Sequence, residues 1–222
     1  IGTTVGIGSQ GIVMDGTEAQ KREWLPRLAS GEAISSFALT EPEAGSDAAS
    51  LKTVATRDGD SYRISGTKRF ITNAPRATVF TVMARSERDV KGGKGVSAFI
   101  VPADTPGISL GKPDRKMGQK GALTCDVIFE DCVVPASAII GGVPGLGFTT
   151  AMKVLDRGRL HIAAICIGTA KRAIVPVAKR RRQNPAENGN PGNVSHADVG
   201  SMGTRSEKSC GAGTPCGRYR PR

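Results

Sequence analysis

The feature that most constrains this chain is a change of hydrophobic period that occurs twice. From Ile34 to Val134, six runs (SSFAL, LKTVATR, SYRISGTKRFI, TVFTVMAR, VSAFIVP and TCDVIFEDCVV) alternate apolar with polar residues or are continuously apolar. The signals DGD, TNAP, KGGKG and TPGI break them apart. Short runs of period two bounded by turn residues fit strands, and their spacing predicts an antiparallel sheet pair or barrel-like domain over residues 35–145. Within it, TRDGDSY predicts a hairpin with Asp58-Gly59 at its tip.

Both flanks read as helical, so the fold class is α+β. Before the strands, Thr17 is placed as an N-cap with Gln20 three residues on, the spacing of a capping box. A short helix is expected from there to Leu25, ahead of Pro26, with Gly31 as the stop signal. Residues 1–34 read as the end of a helical domain. After the strands, Phe148, Met152, Leu155, Ile162, Ile165 and Ala170 recur at helical spacing and predict a long helix over 148–173. Pro176 is expected to kink or end it, at a cost of ~3 kcal/mol. From 183 to 222 the chain is rich in Gly, Pro, Asn and Ser. Its apolar residues follow no period and cannot offset an ordering entropy of ~1–2 kcal/mol per residue, so disorder is expected there.

The net charge of +11 raises a nucleic-acid reading, which the distribution of charge weakens. Residues 179–222 carry nine Lys or Arg against three Asp or Glu, whereas the preceding 178 residues carry 22 against 17. The body is mildly basic and suits an anionic ligand as well as a polynucleotide. The tail offers Tyr219 alone for base stacking. No apolar run reaches the ~18–20 residues that span a bilayer, so no membrane helix is expected. Cys125, Cys132, Cys166, Cys210 and Cys216 form no CxxC pair and have only His161 and His196 to help them. They read as free thiols in a reducing compartment, with the first three as small buried residues and no metal site. The first residue is Ile1, and no charged segment precedes an apolar one as in a signal peptide.

Four motifs bear on function. GIGSQG, residues 6–11, spells the dinucleotide fingerprint, which works only between a strand and a helix with a second parallel strand to follow. Here a capped helix and antiparallel strands follow, so the match is a decoy. In TEPEAGSD, residues 40–47, Pro42 limits the backbone at Glu41, Gly45 can adopt a positive φ, and Ser46 and Asp47 precede a possible helical turn. Such a loop serves equally as an anion cradle of backbone N–H groups or as a turn capped by Ser46 or Asp47. The carboxylates of Glu43 and Asp47 would repel an anion unless turned away from it. In GTKRFITNAP, Phe70 and Thr72 are two apart and share a strand face, which suits a flat heteroaromatic ligand or an ordinary core strand. In KVLDRGRL, Asp156 and Arg159 are three apart on a helix and form either a surface ion pair or part of a polar cluster facing a ligand.

Taken in order, GTEAQKREWLPRLASGE, FALTEPEAGSDAASL, GTKRFITNA, FIVPADTPGI, MGQKGALTCDVIFEDCVVP and GLGFTTAMKVLDRGRLHIAAICIGTAKRA resemble the acyl-CoA dehydrogenase family, as far as about Ala178. The resemblance implies a flavoprotein with a helical N-terminal domain, a middle β-domain and a C-terminal four-helix bundle. Residues 146–182 would supply the bundle's first helix. It implies FAD held by a loop like Phe37, Leu39, Thr40, Gly45 and Ser46 and by a strand like Phe70, Ile71 and Thr72. Thr40 and Thr72 would bond the flavin, Ser46 the pyrophosphate, and Phe70 would pack on the ring system. Ser46, Asp156 and Arg159 would also lie on the substrate side. The implied reaction is α,β-dehydrogenation of an acyl-CoA thioester, with an electron-transfer flavoprotein as acceptor and a homo-oligomer as the intact form. An acyl-CoA oxidase or related flavin monooxygenase is the alternative within the class. The implied compartment is the bacterial cytoplasm or the mitochondrial matrix.

The sequence departs from the family pattern in four places. Glu43 stands where glycine is frequent, and Phe70 where tryptophan is usual. The catalytic glutamate of the family comes from the later bundle, or in a minority from the position before the arginine matching Arg159, which here is Gly158. No general base is assigned, and the chain is expected to be a catalytically incomplete fragment. Beyond AKRRRQNPAENGN the expected Phe-Gly and remaining helices do not follow, a change that reads as a shifted reading frame beginning between about Pro176 and Gln183.

Overall fold

A computed structural model describes residues 6–183. The chain divides into two compact units, Ile1–Ala163 and Ala164–Arg222. In the first, residues 6–8 form a wide helical turn that leads into α1 (Ser9–Asp15). The GIGSQG motif, residues 6–11, is therefore itself helical. In α2 (Glu18–Ser30) the capping box is present: the Gln20 N–H donates to Thr17 Oγ1 at 3.2 Å, and the Thr17 N–H donates to Gln20 Oε1 at 3.0 Å.

The helix passes through Pro26 and ends at Ser30, five residues beyond the expected stop at Leu25. Trp24 and Leu28 flank the proline and are both buried. Burying two large apolar side chains is worth ~1.5–3 kcal/mol each, enough to offset the ~3 kcal/mol of a helical proline. Gly31 closes the helix at φ +84°, where a Cβ would be strained.

The strands β1 (Ser35–Ala38), β2 (Val54–Asp58), β3 (Ser61–Thr72), β4 (Val79–Arg85), β5 (Val96–Pro102), β6 (Ile108–Leu110) and β7 (Thr124–Pro135) form one seven-stranded sheet. Its order is β1-β4-β2-β3-β7-β6, with β5 also on β4. The β2–β3, β4–β5, β3–β7 and β6–β7 pairs are antiparallel, and β2 and β3 are joined by a short turn. Two pairings are parallel: β1 with β4, and a single β2–β4 pair at Val54 and Arg85. A parallel neighbour needs a long connection, which the β2–β3 hairpin between β1 and β4 provides. The hairpin tip lies one residue later than expected. Asp58 pairs with Ser61, which leaves Gly59 and Asp60 at the turn, with Gly59 at φ +58°.

The continuously apolar runs are strands buried on both faces. Phe80, Val82, Phe99 and Val101 join Tyr62, Ile64, Val127 and Phe129 in a core on one face. Val79, Met83, Val96, Ala98 and Ile100 join Ile12, Trp24, Leu28, Ala151 and Val154 in a second core beneath the helices. Gln20 ties the two sides together, its Nε2 donating to Ser137 O at 2.8 Å and to Ile139 O at 2.7 Å.

The last helix, α3 (Gly147–Gln183), runs ten residues past the expected end and continues beyond Pro176. A proline removes one hydrogen bond from a 37-residue element, a local loss that propagation on either side tolerates. Ala151 and Val154 are buried, but Leu160, Ile162, Ile165, Ile167 and Ile174 are exposed. Cys166 is exposed too, against expectation, while Cys125 and Cys132 are buried. Burial of a helical cysteine requires a layer over its face, and residues 159–174 have none among the described residues. The disordered and frame-shifted tail expected from the sequence, with Cys210 and Cys216, falls outside the described residues apart from its helical start.

Candidate functional site

The loop after β1 is fastened at several points. Ser36 Oγ donates to Thr72 O at 2.8 Å, and the Arg69 N–H donates to Thr40 O at 2.8 Å. Glu41 and Ala44 then close a turn over Pro42 and Glu43 by reciprocal backbone bonds of 3.0 and 3.3 Å. Gly45 does not take the positive φ expected of it, because the Glu41–Ala44 turn has already reversed the chain. A one-turn helix (Ala48–Ser50) follows, and Asp47 precedes it without a side-chain capping bond. Ser50 Oγ donates to Asp47 O at 2.9 Å, a bond that engages a carbonyl and leaves the turn's N–H groups without a side-chain cap. Neither Ser46 nor Asp47 is consumed as a helix cap.

Across from this loop, β3 carries an extra residue. Lys68 pairs with Val127 and Ile71 with Cys125, so three steps on β3 match two on β7. The bulge contains Phe70, at φ +60°. A bulky residue in that region is strained by ~1–3 kcal/mol. The extra residue breaks the plain alternation: Lys68 and Ile71 are buried, and the Phe70 ring is 57% exposed with the Arg69 guanidinium 4.8 Å from its centroid. Phe70 is therefore not part of an ordinary core strand.

The two segments face each other over a cleft of about 400 Å³. All eight residues expected at the cofactor line it: Phe37, Leu39, Thr40, Gly45, Ser46, Phe70, Ile71 and Thr72. Ile7, Phe148, Met152, Leu155 and Arg159 complete the walls. Among the described residues, the hydroxyls of Thr40, Ser46 and Thr72 make no hydrogen bond, and the N–H groups of Gly45, Ser46 and Asp47 make none to backbone. An apolar slot with one exposed aromatic ring and three unengaged hydroxyls has the lining of a small-molecule or cofactor site. Of the expected substrate-side residues, Ser46 and Arg159 line the cleft and Asp156 does not. Asp156 pairs with Arg159 on the exposed face of α3, which is the surface ion pair of the plainer reading.

The charges near the loop fall into two sets. Glu43 forms an exposed ion pair with Lys52, so its carboxylate is neutralised and turned away from the cleft. Asp47 is the one carboxylate that lines the cleft among the described residues. Beneath the loop lies a buried pair, with Lys68 Nζ donating to Glu41 Oε1 at 2.8 Å and the two side chains 0% and 4% exposed. Burial pushes the Glu41 carboxyl up, but the charge and hydrogen bond of Lys68 and the bonds from Thr53 and Lys52 outweigh it and hold it below its ordinary value. Burial likewise pulls Lys68 down to about 8 against the raising effect of Glu41.

Sequence reasoning placed Arg159 of α3 at the site but did not single out Phe148, Met152 and Leu155 as cleft residues, nor the buried pair. The positions of Phe148, Met152 and Leu155 follow the helical period already noted, but periodicity names a buried face without naming what it faces. Lys68 and Glu41 leave no comparable signal, since Lys68 stands beside Arg69 and Glu41 stands in TEPEAGSD with Glu43 and Asp47, so neither is marked out as a buried charge. No group of metal-ligating side chains and no helix apolar enough to cross a membrane occurs among the described residues.

Two family models match the chain: the acyl-CoA dehydrogenase N-terminal domain over residues 1–32 and the acyl-CoA dehydrogenase middle domain over residues 36–132. The human mitochondrial short-chain specific acyl-CoA dehydrogenase is 45% identical over 163 residues, 73% of this chain and 39% of that protein. The butyryl-CoA dehydrogenase of Megasphaera elsdenii superposes with a TM-score of 0.80 at 34% identity, covering 92% of this chain and 53% of that one. An acyl-CoA dehydrogenase from Bacillus anthracis, solved in complex with FAD, superposes with a TM-score of 0.72 at 41% identity, covering 78% and 29%. The chain spans 38–46% of the length of the curated relatives it matches. Together the two matched domains occupy more than half of the 222 residues, and the chain belongs to the acyl-CoA dehydrogenase family.

Proposed function

We propose that the cleft holds the flavin end of FAD and that the chain is the cofactor-facing part of an enzyme that dehydrogenates acyl-CoA thioesters between their α and β carbons. The observation that carries this reading is the convergence of the exposed Phe70 ring with the unengaged hydroxyls of Thr40, Ser46 and Thr72 on one apolar cleft. Those residues fit the group. Phe37, Leu39 and Ile71 offer apolar walls to a flat ring system, Thr40 and Thr72 offer hydrogen bonds to its heteroatoms, and the backbone N–H groups at Gly45–Asp47 with Ser46 suit a pyrophosphate. FAD would supply the two-electron redox chemistry, and the residues of this chain would bind it, orient it and exclude water from it.

Arg159, whose guanidinium pairs with Asp156, lines the cleft and is proposed to face the thioester substrate. Gly158 beside it offers no carboxylate, so the general base of the reaction has no assignment among these residues and the 222-residue chain is proposed to be inactive by itself. In the same reading, residues 35–145 are the cofactor domain, 1–34 the end of a helical domain and 146–182 the first helix of a bundle. The exposed Leu160, Ile162, Ile165, Ile167 and Ile174 support a bundle helix, since such residues await further helices. The electron acceptor is proposed to be an electron-transfer flavoprotein. The intact enzyme is proposed to be a homo-oligomer of the bacterial cytoplasm or the mitochondrial matrix.

The test is uptake of FAD by the purified chain, read as quenching of flavin fluorescence and a shift of the flavin absorbance band. Thr40→Ala, Ser46→Ala and Thr72→Ala should each weaken binding about tenfold, the effect of one hydrogen bond of ~1–1.5 kcal/mol. A chain that stays colourless with excess FAD would overturn the reading.

A further inference from the structure

We propose that the buried Lys68–Glu41 pair is a positioning device that fixes the width of the cleft, clamping the loop wall to the strand wall. The inference deepens the FAD reading and rests on it for the identity of the ligand, but not for the geometry of the clamp.

Lys68 and Arg69 are the two strand residues immediately before Phe70. Lys68 Nζ donates to Leu39 O at 3.1 Å and to Glu41 Oε1 at 2.8 Å, while the Arg69 N–H donates to Thr40 O at 2.8 Å. Three successive loop residues, two of which line the cleft, are thus held by two successive residues of the opposite wall. The Glu41 carboxylate also accepts from the Lys52 N–H at 2.6 Å and from the Thr53 N–H at 3.0 Å. Residues 42–51, which carry Gly45, Ser46 and Asp47, therefore have both ends pinned to one carboxylate, and that carboxylate is pinned to β3 by Lys68.

A purely structural role explains this arrangement poorly. A fully buried ion pair loses most of its attraction to desolvation, and apolar residues of the same volume stabilise a core at least as well. What apolar residues cannot do is hold one carbonyl and two N–H groups in fixed directions. The bulge at Phe70 belongs to the same device. By shifting the strand phase it lets Lys68 point under the loop while Phe70, two residues on, turns out to the cleft.

The test uses the full chain with Lys68→Met, Glu41→Gln, the double variant and Glu41→Asp. Three properties are read: the urea midpoint by Trp24 fluorescence, amide hydrogen exchange of residues 42–51 by mass spectrometry, and the Kd for FAD. Either of the first two single variants leaves a buried group unpaired and should lower the midpoint; the double variant should recover most of that loss. If the pair positions the loop, the double variant still exchanges residues 42–51 at least tenfold faster than the unaltered chain and binds FAD at least tenfold more weakly. Glu41→Asp keeps the charge but not the reach, and should also speed exchange there. Exchange and affinity at unaltered values in a double variant of recovered stability would overturn the proposal, as would unaltered exchange in Glu41→Asp. If the unaltered chain takes up no FAD, the cofactor reading fails by itself, and the exchange measurement still decides the clamp.

Discussion

The strained residue at the centre of the cleft gives the sharpest quantitative expectation. Phe70 sits at φ +60° with its ring 57% exposed, so its backbone is under more constraint than its side chain. Phe70→Ala and Phe70→Gly delete the same ring and the same contact with Arg69, and differ only in what the backbone tolerates. The left-handed region costs an L-residue ~1–2 kcal/mol that glycine does not incur. Glycine loses ~0.5–1 kcal/mol more than alanine to chain entropy on folding. The balance favours Phe70→Gly over Phe70→Ala by ~0.5–1 kcal/mol. For an m-value of ~2 kcal/mol/M in urea, that is a midpoint higher by ~0.3–0.5 M. Trp24, the one tryptophan of the chain and 7% exposed, reports the transition without a label. Both variants should lose FAD affinity equally, because both lose the ring. An alanine variant as stable as the glycine variant, or more so, would refute the claim that strain is stored at the bulge.

Other expectations follow from burial and charge. Glu41 and Asp15 are both held below their ordinary values, the second by bonds to Thr150 and Lys153 that outweigh its burial. Their contributions are complete above the unfolded values of 4.5 and 3.8 and are lost as pH falls through the lower folded values. Urea midpoints taken from pH 6 down to pH 3 should therefore fall, and less steeply in Glu41→Gln. Gly147→Ala would place a Cβ 2.2 Å from Ala98 N and Ser97 C, forcing the start of α3 away from β5. A loss of ~1–3 kcal/mol is expected in thermal or urea unfolding. Asp156→Ala removes only an exposed ion pair with Arg159 and should leave the unfolding midpoint within ~0.5 kcal/mol of the unaltered chain.

The local signals in the sequence were legible because they are local. The capping box at Thr17 and Gln20 and the stop at Gly31 depend on residues three to fourteen apart, and the strand runs announce themselves by period. Where the reading of a boundary failed, two causes acted: buried Trp24 and Leu28 carry α2 through Pro26, whereas helix propagation on either side carries α3 past Pro176. The eight residues expected at the cofactor do converge on one cleft, yet the sequence left TEPEAGSD poised between a capped turn and a cradle. In the fold Asp47 makes no side-chain capping bond and Ser46 lines the cleft, an outcome that no local signal in those eight residues announces.

The sequence by itself determined the order of elements, the α+β class and the two segments that face the cleft, since each is written in a period or a turn within about ten residues. Tertiary structure alone decided the parallel β1–β4 pairing, the bulge that turns Phe70 outward and the burial of Lys68 against Glu41. Those three depend on partners 27 to 59 residues away in the chain, where the energy of a contact is set by what the fold brings beside it and leaves no periodic trace.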